Sequence, residues 1–204
     1  MRVAVVVSGR GSNLASLLRA LGEDAPARVV LVISNRRDAG GLTLAWRHGV
    51  PTHVLQDSAD PAEWRRVLDE AVVGLVVLAG YLKRVPEPVV RAWRGRMINI
   101  HPALLPLHGG PGMYGRKVHQ AVLAAGETVS GATVHLVTEE YDQGEVLGQA
   151  RVPVLPGDTP DSLAERVLRV EHRLLPAAVL AAAAAGRPVP FTLEAVGSSL
   201  TPDS

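Results

Sequence analysis

The chain opens on an uninterrupted apolar run, Val3-Ala4-Val5-Val6-Val7, and Val29–Ile33, Leu75–Ala79 and Met97–Ile100 repeat the pattern. Apolar runs without polar alternation suit parallel strands buried on both faces. A shorter stretch, Thr52–Leu55, predicts another strand. Between these runs the apolar positions fall at helical spacing. Leu14, Leu17, Leu18 and Leu21 mark one helix and Leu42–His48 a second. Trp64, Leu68 and Ala71 mark a third, with Pro61 in its first turn, and Pro86–Trp93 a short fourth. Strands alternating with helices build βαβ units and a mostly parallel sheet.

After His101 the pattern changes. Leu107–Lys117 holds four glycines and predicts a flexible loop, and Val118–Ala125 reads as helix. Ser130–Leu136 and Val146–Val154 predict two strands joined by the acidic turn Glu139–Gly144. Pro160–Ala185 predicts a long helix with Pro176 as the place for a kink, and the tail beyond Gly186 is irregular. No repeat or linker divides the chain. The expectation is α/β: a Rossmann-like, open, twisted, mostly parallel sheet. Helices cover both faces, an antiparallel strand lies near the C-terminal part, and one domain spans 1–204.

A length of 204 residues with 47% hydrophobic composition suits one domain. The net charge of +1 offers no broad basic field for nucleic acid. With no cysteine, disulfides and thiolate chemistry are excluded. Val3–Val7 is too short for the core of a signal peptide, and no window approaches the roughly 18 apolar residues of a membrane span. The chain is expected in the cytoplasm, with small-molecule substrates and neither nucleic acid nor membrane as partner. A monomer and a homodimer are both compatible with it.

Two places carry chemistry. Ser8-Gly9-Arg10-Gly11-Ser12-Asn13 follows the first strand and leads into a helix. Glycines let backbone N–H groups approach an anion, Ser12 and Asn13 add donors, and the helix N-terminus favours negative charge. The loop therefore suits a phosphate, the plain alternative being a tight βα turn. Arg10 would add a second charge. A dinucleotide is disfavoured: Leu14 stands where G-x-G-x-x-G needs its third glycine, and the second strand ends in Ser34-Asn35 rather than an acid.

The second place is Met97–Gly112, "MINIHPALLPLHGGPG". Strand alternation puts Asn99 and His101 on one face, roughly 6–7 Å apart, and Ile98 and Ile100 on the other. Pro102 ends the strand, so His101 sits at its carboxyl end, on the edge where the glycine loop opens. Histidine moves protons near neutral pH, and an asparagine amide can hold an oxyanion. Asp142, in the acidic turn, is the candidate carboxylate to raise the pKa of His101. The competing reading is a satisfied core histidine beside a turn asparagine. The chain's seven histidines show no helical metal-ligand spacing, and no metal is expected.

The stretches "SGRGSNL", "ISNRRDAGGL", "VVLAGYLKRV", "INIHPALLP", "SGATVHLVTEEYDQG" and "RVEHRLLP" resemble, in order and spacing, the phosphoribosylglycinamide formyltransferase family over about residues 3–190. The resemblance implies transfer of the formyl group of 10-formyltetrahydrofolate, as cosubstrate, to the amine of N1-(5-phosphoribosyl)glycinamide in purine biosynthesis. It implies catalytic roles for Asn99, His101 and Asp142. Gly11, Ser12, Asn13 and Glu171 would bind the nucleotide. Leu82, Lys83, Arg84, Val85 and Asn99, with Thr138, Glu139, Glu140 and Tyr141, would bind the folate. Residues 1–100 would form the nucleotide-phosphate half, 101–190 the folate and catalytic half, and 191–204 a tail. Where the family often carries a folate-contacting arginine, Asp57–Trp64 has none. Alternatives are a 10-formyltetrahydrofolate hydrolase, which would carry a further N-terminal domain, and a non-catalytic phosphate- or nucleotide-binding module. The module would not need Asn99, His101 and Asp142 together.

Overall fold

A computed structural model describes residues 1–193; the expected tail lies outside the described residues from position 194 onward. Within them the chain runs β1 (Arg2–Val7), α1 (Ser12–Ala20), β2 (Arg28–Ser34), α2 (Gly40–Arg47), β3 (Thr52–Val54), α3 (Pro61–Glu70), β4 (Leu75–Leu78) and α4 (Glu87–Ala92). It continues with β5 (Met97–His101), α5 (Arg116–Ala124), β6 (Val129–Leu136), β7 (Val146–Pro153) and α6 (Pro160–Ala185).

Among the described residues the seven strands form one sheet in the order β3-β2-β1-β4-β5-β6-β7. β1 to β5 are parallel, whereas β6 pairs antiparallel with both β5 and β7. The expected open, mostly parallel sheet with an antiparallel strand near the C-terminal part is what the chain forms. The boundaries differ by a residue or two. β3 stops at Val54 and Pro86 caps α4, while α5 begins at Arg116 rather than Val118 and so shortens the glycine loop. α6 continues through Pro176 as one helix.

Strand alternation explains the two layers. Val3, Val5 and Val7 of β1 face Leu14 and Leu17 of α1 and Leu174 and Leu175 of α6. Ala4 and Val6 point the other way, into the cluster of Trp64, Leu68, Val89 and Val90 from α3 and α4. Both sides of the strand are thus apolar, which is why its sequence shows no alternation. Fully burying each such side chain contributes about 1.5–3 kcal/mol.

The order of strands places the site. β1 leads outward on one side to β2 and β3, and on the other to β4 and β5. The carboxyl ends of β1 and β4 therefore flank a switch point, where ligands bind in open α/β sheets. The loop after β1, the loop after β4 and the end of β5 all open there.

Candidate active site

Gly11 caps α1 in the left-handed conformation, with φ 82°, and no side chain caps the helix. By contrast, Asp60 caps α3 and a Thr159–Ser162 box caps α6. The first-turn N–H groups of α1 are therefore left for another acceptor. Gly11 itself packs inward: a Cβ there would stand 2.7 Å from the Gly41 Cα, so the loop turns only because both residues lack side chains. Arg10, Ser12 and Asn13 line the cleft; Gly11 does not. Asn13 Nδ2 donates to Glu171 Oε2 at 2.6 Å, and Glu171 is buried. Burial pushes the Glu171 carboxyl up, and the Asn13 hydrogen bond opposes that only in part.

At the other end of the same cleft, β5 delivers Asn99 and His101, and the turn after β6 delivers Asp142. His101 Nδ1 lies 3.6 Å from Asp142 Oδ2, and His101 Nε2 donates to the carbonyl of His108 at 2.9 Å. His135, opposite Asn99 in the β5–β6 register, joins the group. Its Nδ1 donates to the Leu136 carbonyl at 2.8 Å, and its Nε2 lies 3.1 Å from Asn99 Nδ2. The same Nε2 stands 3.4 Å from Asp142 Oδ1. Asn99 keeps a second amide hydrogen for the cleft.

The electrostatics correct one expectation. Asp142 does favour the charged form of His101, but burial outweighs it, and neighbouring His135 and His108 add to the lowering. The His101 pKa therefore lies below the ordinary histidine value rather than above it. For Asp142 the balance runs the other way. Burial alone would raise it, but His135, His101 and the Gly110 N–H together hold it below the usual carboxylate range.

The cleft encloses about 730 Å³, within the usual range for small-molecule sites. Leu82, Lys83, Arg84 and Val85 form one wall, and Thr138, Glu139, Glu140 and Tyr141 another. Arg84 ties the two walls together, donating to the Glu139 carbonyl at 2.8 Å. The Glu139 carboxylate turns to Arg94 at 3.2 Å and Arg91 at 3.4 Å. Ser8 joins the loops beneath: its hydroxyl donates to Asn35 Oδ1 at 2.7 Å and accepts from the Leu82 N–H at 2.9 Å. In the stretch before and at the start of α3, Trp64 Nε1 donates to the Ser58 carbonyl, and its ring meets Tyr81 edge-on.

Sequence reasoning missed His108, Gly110, the bridging part of His135 and the tie that Ser8 makes between the loops. Of these, His135 alone carried a signal. It is a polar side chain one residue before the end of an expected strand, and the pairing of β5 with β6 sets it beside Asn99. Among the described residues no group of three or more histidine, aspartate or glutamate side chains is arranged to hold a metal ion. No helix among them is long and apolar enough to cross a membrane.

Residues 1–179 match the sequence profile of the family described as formyl transferase. The chain is 45% identical over 181 residues to a chloroplastic phosphoribosylglycinamide formyltransferase of Arabidopsis thaliana, covering 85% of this chain and 62% of that protein. It thus spans less than two thirds of that plant relative's length. It is 37% identical to the phosphoribosylglycinamide formyltransferase of Escherichia coli strain K12, covering 86% of this chain and 84% of the relative. The crystal structure of the phosphoribosylglycinamide formyltransferase from Anaplasma phagocytophilum superposes with a TM-score of 0.86 at 38% identity, covering 97% of this chain and 94% of that one. With its sheet order, its cleft at the switch point and this agreement along its length, the chain belongs to the formyl transferase family, in the phosphoribosylglycinamide formyltransferase branch.

Proposed function

We propose that the chain transfers the formyl group of 10-formyltetrahydrofolate to the amine of N1-(5-phosphoribosyl)glycinamide, in the cytoplasm. The observation that carries this reading is one continuous cleft with an uncapped phosphate loop at one end and Asn99, His101 and Asp142 at the other. A binding module would need only the first.

Ser12, Asn13 and the free N–H groups of α1 bind the phosphate, with Arg10 as a second positive charge. Glu171 contacts the ribosyl part. The walls 82–85 and 138–141 hold the folate, which supplies an activated formyl group when bound. The single domain thus splits between a nucleotide half and a folate half, with Leu82–Val85 reaching across.

Asn99 directs its free amide hydrogen at the oxygen that gains charge as the amine attacks. His101, protonated, helps hold that charge and gives its proton to the departing folate nitrogen. Asp142 favours the imidazolium and takes part in returning the proton that the amine loses. The new C–N bond forms and the old one breaks with no net gain or loss of protons. The test is folate product formation from 10-formyltetrahydrofolate with and without the nucleotide. Turnover that needs the nucleotide and is lost in His101→Ala supports transfer. Turnover without it means hydrolysis, and none at all returns the chain to a binding role.

A further inference from the structure

Two backbone groups of the glycine-rich loop grip both members of the catalytic pair. The His108 carbonyl accepts from His101 Nε2 at 2.9 Å, and the Gly110 N–H donates to Asp142 Oδ2 at 2.9 Å. The residue between them, Gly109, is pressed against the same carboxylate side chain. A Cβ on Gly109 would stand 2.6 Å from Leu105 Cδ2 and 3.2 Å from the Asp142 Cβ. His108 and Gly110 take φ of 55° and 98°, so the turn holds a conformation that most residues avoid.

The root of the loop is fixed as well. Thr133 Oγ1 donates to the Ala103 carbonyl at 2.7 Å and accepts from the Leu105 N–H at 3.0 Å. Gln149 Nε2 donates to the Leu105 carbonyl at 2.9 Å. The strands β6 and β7 therefore set where the turn emerges.

We propose that His108-Gly109-Gly110 is a positioning element that selects the Nε2–H tautomer of His101 and fixes Asp142 against Nδ1. The carbonyl and the Asp142 carboxylate can both only accept, but the carbonyl stands at 2.9 Å from Nε2 and the carboxylate at 3.6 Å from Nδ1, so the hydrogen of the neutral ring sits on Nε2. His101 is 3% exposed, which leaves water little room to replace that carbonyl. The proton that moves is then the one on Nδ1. When the Nδ1–H bond breaks and the folate nitrogen takes the proton, His101 is left neutral in the tautomer that the loop already holds. The proton given up by the amine returns to Nδ1 by way of Asp142. No second tautomer has to form during turnover.

This role rests on the proposed transfer reaction, but its first test does not. Nitrogen NMR of the full chain at about pH 8.5, above the histidine range, reads the neutral tautomer, with His101 assigned from the spectrum of His101→Gln. Protonated Nε2 with bare Nδ1 is expected; the reverse pattern overturns the proposal whether or not the chain turns over substrate.

The second test is Gly109→Ala. A fall in kcat of about 10-fold or more is expected, with KM for the nucleotide within about 2-fold, because a misplaced proton donor costs rate rather than binding. The pH–rate profile should shift too, set by His101 with Asp142, His135 from β6, His108 from the loop and His119 from α5 around it. In an Asp142→Asn background the same change should cost little more, since both act on one contact. Equal losses in the two backgrounds, or a lower Tm with an unmoved pH profile, would mean a merely structural glycine. Should Gly109→Ala not fold, the tautomer reading alone decides.

Discussion

Asn13 Nδ2 donates to Glu171 Oε2 at 2.6 Å, joining the first turn of α1 to the middle of α6 across 158 residues of chain. The pair lines the end of the cleft beside the loop after β1 and keeps a carboxyl group out of water.

That burial has a pH consequence. The folded pKa of Glu171 is raised, so its protonated form is the one the fold favours. Its stabilising contribution is complete below the unfolded value of about 4.3 and is lost as pH rises through the folded value. Glu171→Gln keeps an acceptor for Asn13 and removes the charge. Its Tm should exceed that of the wild type at about pH 8, and the gap should close on approaching pH 4 or so. KM for the nucleotide should rise in the same variant. A constant difference in Tm across that range would show that the charge is not what matters.

His101 and Asp142 give the opposite sign. A histidine whose folded pKa is lowered contributes stability above its unfolded value of about 6.5, and that contribution is lost as pH falls through the folded value. Asp142→Asn removes the main group that favours the imidazolium. The His101 pKa, followed by proton NMR, should drop further, and kcat should fall by about 100-fold or more. An unchanged His101 titration would separate the two residues.

The contrast between these residues shows what the sequence could and could not convey. The runs Val3–Val7 and Leu75–Leu78 are apolar because both sheet faces are covered, so their strands were readable. Pro102 marked the end of β5, so the position of His101 at the sheet edge was readable too. The sign of the His101 shift was not, because it depends on how much burial outweighs one carboxylate. The hold of His108 and Gly110 was hidden for another reason. It runs through backbone groups, which carry no residue signature. Gly11 was readable as a loop glycine, but its packing on Gly41 was not, since it depends on how the loops after β1 and β2 meet.

Glu139 bridges α4 and the segment just after it to the turn that forms one wall of the cleft, through Arg94 and Arg91. Both arginines are largely exposed, 76% and 65%, so the bridge is weak and sensitive to salt. Glu139→Ala should raise KM for the folate by about 2- to 5-fold at low salt, with kcat little changed. Adding about 0.5 M salt should bring the wild type toward the variant. An effect on kcat alone would place Glu139 in the chemistry instead of the wall.

Ser8 sits where three loops meet. It is 2% exposed, donates to Asn35 Oδ1 and accepts from the Leu82 N–H, while its own N–H donates to the Gly80 carbonyl at 3.1 Å. The loop after β1, the loop after β2 and the wall at Leu82–Val85 are therefore held to one hydroxyl. Ser8→Ala leaves the Leu82 N–H and the Asn35 side-chain Oδ1 without that partner. An unsatisfied buried group costs about 1–3 kcal/mol, so Tm should fall. Because these segments lose the same anchor, KM should rise for the nucleotide and for the folate together. Ser8→Thr restores the hydroxyl and should recover much of both, less the cost of fitting a methyl group into a closed space. If Ser8→Ala raises KM for one substrate and leaves the other unmoved, the loops are positioned independently and the shared hydroxyl is only a local contact.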